Sequence, residues 1–143
     1  MPWFAFFFLR SLRFTVRFDT ADHSTRSIWR ENQLMAWLLR DGQVLASLEV
    51  AEGFWARSKG LLGEKSCEGA MLLKHTKGVH SVGMRFAMDV AWLDKELTVI
   101  DMTTLRRFWI ALPKLRARSV LEAEAGAFAR WGLSPGDRLE IKE

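Results

Sequence analysis

Short apolar runs joined by tight turns dominate residues 35–143 of this sequence. An Asp-Gly pair, Asp41 and Gly42, separates the apolar run at 35–40 from a second run at 43–50. Two such runs around an Asp-Gly pair are the strongest short-range signal for a β-hairpin. Because no long helix is predicted that would connect parallel strands, we expect strands that pair antiparallel.

Similar signals recur along the rest of this region. The runs at 90–93 and 97–100 flank a polar turn at 94–96 and predict a second hairpin. Together the signals predict a mainly β domain, a β-sandwich or an open barrel of antiparallel hairpins, with two short helices. The further strands are predicted at residues 69–73, 119–123 and 138–142, and the helices at residues 54–63 and 124–131.

The first 34 residues differ from the rest of the chain. Their apolar run, residues 1–9, ends at Arg10 and is too short for a membrane span, which needs about 20 apolar residues. Charges follow this run instead of preceding it, which is the reverse of a secretory signal. We therefore expect residues 1–34 to be a disordered N-terminal arm or a mis-annotated start before Met35, and residues 35–143 to be one cytoplasmic domain. The alternative is a genuine arm whose apolar tip lies at an interface.

Composition excludes several classes of protein. The single cysteine cannot form an internal disulfide. One cysteine and three histidines are also few ligands for a structural zinc site, which normally takes four. A formal charge of +4 is a mild bias, not the dense basic footprint of a dedicated nucleic-acid binder. No glycine-rich phosphate loop lies between a predicted strand and a helix. We expect no cofactor and no metal, and a protein or a small molecule as the partner.

Several blocks of sequence carry a resemblance to a known family. In their order and spacing they resemble the domain of unknown function 192 family over about residues 44–142. The resemblance implies a compact β-sandwich with one or two helices, and it implies little about activity. The blocks are residues 57–63, 69–73, 84–94 and 120–126, followed by residues 132–137.

One block departs from the family pattern. Many relatives carry Trp-Met-Lys-Asn-Thr ahead of Ile-Pro-Leu-Asp, whereas residues 80–84 read His-Ser-Val-Gly-Met, and Asp89 follows Phe-Ala-Met. A role that depends on the missing Trp, Asn or Pro cannot be transferred to this chain, whereas Asp89 retains its place in the pattern.

Asp89 is the leading candidate for a functional residue. It lies among apolar residues, where an ionised carboxylate is costly unless it is hydrogen-bonded or paired. It is either an acid/base or ligand-binding group, or a structural carboxylate that accepts backbone N–H groups or pairs with Arg57 or Arg85. We predict a binding surface around Asp89 with His80, Arg57 and Glu122.

A catalytic alternative uses the histidines. His75 and His80 lie five residues apart in a loop, which is not a recognised metal-binding spacing, and a third ligand would have to come from Asp89, Cys67 or Glu122. A hydrolase or metal-assisted enzyme would use Asp89 with His75 or His80, and Cys67 with either histidine would form a nucleophile and base pair. The sequence leaves open whether the protein is an enzyme and assigns no catalytic residue.

A third candidate surface is basic and aromatic. Phe108 and Trp109 lie within a stretch of five basic residues that has no acidic residue. This composition suits an anionic ligand or single-stranded nucleic acid, and it is also typical of a solvated loop beside an edge strand. A non-catalytic binding or accessory module is the predicted function. The basic residues are Arg106, Arg107, Lys114, Arg116 and Arg118.

Overall fold

Nine strands and one short helix make up residues 34–51 and 69–143, the part of the chain that the computed structural model describes. The mainly β fold class is confirmed. The predicted helix at 54–63, which includes Arg57, lies outside the described residues, as do Cys67 and residues 1–33. The elements are β1 (Leu34–Arg40), β2 (Gln43–Ala51), β3 (Ala70–Lys74), β4 (Val79–His80), β5 (Met88–Leu93), β6 (Val99–Leu105), β7 (Ile110–Ala111), β8 (Ser119–Glu124), α1 (Ala127–Arg130) and β9 (Glu140–Lys142).

Seven of the strands form one sheet in the order β6-β5-β8-β3-β2-β1-β9, and β4 pairs with β7 in a small second sheet. Both predicted hairpins are confirmed, since β1 pairs with β2 and β5 pairs with β6, each antiparallel. Asp41 and Gly42 have φ angles of 52° and 75°. Positive φ at both central positions is what a type I′ hairpin turn requires.

One pair of strands contradicts the expectation of purely antiparallel pairing. β2 and β3 are parallel, with Leu48 beside Ala70 and Val50 beside Leu72. A parallel pair needs a crossover of a dozen or more residues, and residues 52–69 provide a connection of that length. The sheet is therefore mixed.

The two faces of the large sheet are covered by different parts of the chain. Because side chains alternate along a strand, Leu48, Leu72 and Ala91 lie on one face, here called the first face. These residues form a hydrophobic core with Phe128 of α1 and with Leu139. The helix and the C-terminal residues therefore cover the first face.

The opposite, second face carries Met71, Val90 and Val120. These residues form another core cluster with Val79 of β4 and Ala111 of β7. The small sheet therefore covers the second face, and the domain is a sandwich in which the large sheet is the middle layer.

The second predicted helix is shorter than expected. Glu124 continues β8 opposite Met88, so the strand occupies the first positions of the predicted helix. Gly126 then turns the chain at φ 87°, and α1 runs only from Ala127 to Arg130.

Candidate functional site

Asp89 is a buried carboxylate on β5 whose two oxygens both accept hydrogen bonds. Its side chain is on the first face, and the residue is 4% exposed. The Thr104 hydroxyl donates to Oδ1 over 2.7 Å, and the backbone N–H groups of Gly126 and Phe128 donate to Oδ2 over 2.8 and 3.1 Å. These contacts match the second alternative predicted for Asp89, a carboxylate that accepts backbone N–H groups.

These contacts explain why α1 begins where it does. The first N–H groups of a helix have no partner within the helix and usually bond to an N-cap side chain. The N-cap of α1 is Gly126, which has no side chain, and Asp89 provides the missing acceptor from a neighbouring strand. Asp89 therefore joins the central sheet to the element that covers it.

Glu122 is equally buried, at 4% exposure, but it lies on the second face. It pairs with Met71 on one side and with Val90 on the other, whereas Asp89 pairs with Ala123. Since Asp89 and Glu122 project from opposite faces of one sheet, the structure does not bring these two carboxylates together in one cavity.

The predicted histidines lie at the surface. His80 is an exposed residue of β4, in the small sheet over the second face, so it lies on the other side of the large sheet from Asp89. His75 is exposed in the turn after β3, at φ 58°. In residues 34–51 and 69–143, no group of three His, Cys, Asp or Glu side chains could hold a metal ion. The catalytic hypothesis thus receives no geometric support from the described residues.

Residues 106–112 lie within the predicted basic stretch and expose several large apolar side chains, and we call them the 106–112 surface. Phe108 and Trp109 are 62% and 63% exposed, and Leu112 is 67% exposed. Ile110 adds a further exposed apolar side chain. The aromatic residues were predicted as part of this stretch, whereas the contribution of the aliphatic residues was not.

Ser81 holds this surface in place from inside the protein. It is completely buried, and its hydroxyl donates to the carbonyl of Arg106 and accepts from the N–H of Trp109. The Ser81 backbone N–H donates to the Trp109 carbonyl over 2.8 Å, and the Phe108 N–H donates to the Ser81 carbonyl over 3.1 Å. Sequence reasoning missed Ser81, because its partners are more than twenty residues away in the chain.

These hydrogen bonds fix Phe108 in an unfavourable backbone conformation. Its φ is 59°, in the left-handed region that costs a residue with a side chain about 1–2 kcal/mol. Bulky residues are held in this region only where the surrounding structure imposes it, frequently at functional sites. The loop therefore presents two aromatic rings to solvent at a cost in backbone energy.

The basic residues differ in their contacts. Arg106, Arg107, Arg116 and Arg118 are exposed, and none of the four makes an ion pair within the described ranges. Arg107 lies over the ring of Phe108, with its guanidinium carbon 5.3 Å from the ring centre. Arg107 thus places positive charge beside an exposed aromatic ring, and Arg106 is its neighbour in the chain.

Lys114 is the exception among the predicted basic residues. Its ammonium group lies 2.7 Å from Asp101 Oδ2 and 5.4 Å from the centre of the Trp92 ring. The hydrogen bond from Lys114 lowers the pKa of Asp101 below its ordinary value, an effect that partial burial opposes. Lys114 therefore connects the loop after β7 to strand β6.

A groove of about 660 Å³ separates β6 from the 106–112 surface. Its lining consists of residues 101–106 and 109–112, with Trp92 and Lys114. The groove brings together the basic residues Arg106 and Lys114, the exposed aromatic Trp109 and the edge of the large sheet. The other predicted basic residues lie outside its lining.

The fold and these sites define a small, mainly β domain with a buried, internally hydrogen-bonded carboxylate and an exposed basic and aromatic groove. The chain belongs to the DUF192 family, an uncharacterized family whose model matches residues 36–141. This confirms the resemblance inferred from the sequence blocks.

Two sequence relatives and one solved structure resemble this chain over most of its length. A UPF0127 protein of Pyrococcus abyssi is 29% identical over 118 residues, covering 79% of this chain and 95% of its own. A UPF0127 protein of Pyrococcus horikoshii is 29% identical over 104 residues, covering 69% of this chain and 84% of its own. A solved protein of unknown function from Novosphingobium aromaticivorans has a TM-score of 0.62 at 18% identity, covering 76% of this chain and 84% of its own.

Residues 34–51 and 69–143 contain no helix with the length and apolar content that a membrane span requires.

Proposed function

We propose that the protein is a non-catalytic binding module that holds an anionic partner at the 106–112 surface and its surrounding arginines. The observation that carries the proposal is the exposed pair of Phe108 and Trp109. The fully buried Ser81 holds this pair through hydrogen bonds, and the backbone of Phe108 is strained. Aromatic and arginine side chains dominate the energetics of protein binding surfaces. A rigid loop that already presents them loses little conformational entropy on binding.

The proposal places the binding surface away from Asp89. Both Asp89 oxygens accept hydrogen bonds from within the domain, so a ligand would have to displace internal donors in order to reach this carboxylate. The arginines of the 106–112 surface are exposed and make no ion pair in the described part of the chain. A negatively charged ligand therefore gains more electrostatic binding free energy beside the arginines than beside Asp89.

The test is a titration of the isotope-labelled full chain with two defined polyanions, a poly-glutamate peptide and a short oligo-deoxythymidine, at low ionic strength. We expect at least one of them to shift the backbone amide resonances of residues 106–112. The Arg106→Glu variant should weaken that binding by about five- to tenfold, and added salt should weaken it further.

A matched control separates a local effect from net charge. Lys142→Glu makes the same change of charge on β9, at the opposite edge of the large sheet, and should leave the affinity within about twofold of wild type because exposed charges at that distance are screened. If neither polyanion shifts these resonances, or if both variants weaken binding equally, the proposed function is wrong.

A further inference from the structure

We infer that the partner is an extended segment of another protein chain, bearing apolar and acidic side chains, that adds as a strand to the free edge of β6. The inference rests on the proposed function and specifies the chemistry of its partner. Strand addition to an exposed sheet edge is a common mode of peptide recognition, in which backbone hydrogen bonds provide affinity and side-chain pockets provide specificity.

Among residues 34–51 and 69–143, nothing pairs with the outer edge of β6 along the second half of the strand. β6 is the outermost strand of the large sheet. At its start the edge is occupied, because the Val99 N–H donates to the Asp137 carbonyl and the Val99 carbonyl accepts from the Gly136 N–H, both over 2.8 Å. Beyond Val99, no strand in the described ranges pairs with the outer side of β6.

Hydrogen bonding identifies which backbone groups point outward. The Met102 N–H donates to Oδ1 of Asp101 over 2.8 Å, so this N–H faces away from the paired strand β5. Outward-facing residues alternate along a strand, and the β5–β6 register is regular from Met102 to Leu105. The N–H and carbonyl of Thr104 therefore also face the groove and are available to an added strand.

The groove matches an extended chain in length. Residues 101–106 line it in succession, which corresponds to about 17 Å of extended backbone, or roughly the length of five paired residues. Trp109, Ile110 and Leu112 line the same groove. A segment that lies along β6 would therefore have its backbone against the strand edge and apolar side chains of the groove within its reach.

Side-chain chemistry favours a protein segment over single-stranded nucleic acid. Nucleic acid gains affinity from aromatic faces and phosphate contacts, and Trp109 and the arginines provide both. The aliphatic side chains of Ile110 and Leu112, 46% and 67% exposed, and the outward backbone groups of β6 suit an apolar peptide instead. Arg106 lines the groove as well and, unlike Lys114, makes no ion pair in the described residues, so an acidic side chain near Arg106 completes the match.

The experiment uses the full chain and three probes: a short end-capped peptide of alternating Val and Glu, the same peptide N-methylated at every residue, and a short oligo-deoxythymidine. The N-methylated peptide keeps the side chains and loses the backbone N–H donors on both of its edges, so it cannot form a strand ladder through them. We expect the first peptide to shift the amide resonances of Met102 and Thr104, and to bind at least about fivefold more tightly than its N-methylated form.

The outcomes separate the inference from the proposed function. Equal binding of the two peptides, or binding of the oligonucleotide alone at residues 106–112, overturns strand addition and leaves the anionic binding surface intact. Absence of binding by all three probes overturns both. A dimer that excludes the peptide would show that a second copy occupies the edge, which also overturns the inference.

Two variants of Asp101 provide a sharper test of the edge itself. Both Asp101→Ala and Asp101→Asn remove the charge that pairs with Lys114, but the asparagine side-chain oxygen still accepts the Met102 N–H. Strand addition predicts that Asp101→Ala binds the first peptide several-fold more tightly than Asp101→Asn, because the alanine leaves that N–H open to the ligand. Equal affinities for the two variants would contradict a role for this backbone group.

Discussion

Replacing Asp89 tests the structure most directly, because one carboxylate joins the sheet, strand β6 and α1. In Asp89→Ala, the N–H of Phe128 loses its acceptor in a buried position, which costs about 1–3 kcal/mol. Gly126 and Thr104 lie nearer to solvent, so water can replace part of the hydrogen bonding that they lose when Asp89 is removed. We expect the free energy of unfolding to fall by about 3 kcal/mol, and the melting temperature by about 10–15 °C.

Asp89→Asn should be much milder. The amide oxygen can accept the two backbone N–H groups of Gly126 and Phe128, and the amide NH₂ can donate to the Thr104 hydroxyl, which is able to accept. Only the additional strength of a charged acceptor is lost, and we expect a decrease of about 1 kcal/mol in the free energy of unfolding.

Urea unfolding followed by circular dichroism measures both free energies, and amide hydrogen exchange provides a local readout at Gly126 and Phe128. Exchange at these two amides should accelerate strongly in Asp89→Ala and slightly in Asp89→Asn. The reasoning is refuted if both variants unfold within about 0.5 kcal/mol of wild type, or if exchange at these amides is unchanged. If Asp89→Asn keeps its stability and abolishes polyanion binding, Asp89 is the ligand-binding group instead.

Two further predictions concern other parts of the fold. Arg40 donates to Oδ2 of Asp137 over 2.8 Å, and this hydrogen bond, with another from the Ser134 N–H, lowers the pKa of Asp137 below its ordinary 3.8. A lowered folded-state pKa stabilises the fold above pH 3.8, and this contribution is lost as the pH falls through the lowered value. In urea unfolding at pH 6, wild type should therefore be more stable than Asp137→Asn by up to about 1 kcal/mol. The difference should shrink as the pH is lowered below 3.8, and a difference that does not shrink would contradict this. Phe108→Gly should relieve the left-handed strain and raise the free energy of unfolding by about 0.5–1 kcal/mol while weakening polyanion binding, and a loss of stability in calorimetry would show that the conformation of Phe108 is not strained.

The hairpins could be predicted from sequence because their information is local. Asp41 and Gly42 specify a turn that fixes which residues of β1 and β2 face each other. The parallel pairing of β2 and β3 depends instead on a connection of residues 52–69, and no short-range pattern reports where such a connection returns to the sheet.

The candidate site was only partly predictable for a similar reason. The alternation of side chains could have shown that Asp89 and Glu122 lie on opposite faces only if the register of β5 against β8 were known, and that register is a tertiary property. The importance of Ser81 depends on contacts with Arg106 and Trp109, which a single serine in a loop does not reveal. The basic and aromatic composition of residues 106–118 was visible because it lies in one continuous stretch.

The position of β9 beside β1 has a consequence for how this polypeptide can be rearranged. Lys142 pairs with Trp37, three residues along β1 from Leu34, which is about 10 Å of extended chain. In a chain that begins at Leu34, a few glycines would span such a gap, so the two strands could be fused and the backbone opened at the turn of Asp41 and Gly42. The resulting circular permutant would keep each strand beside its present neighbours while making β1 and β2 the opposite extremities of the chain.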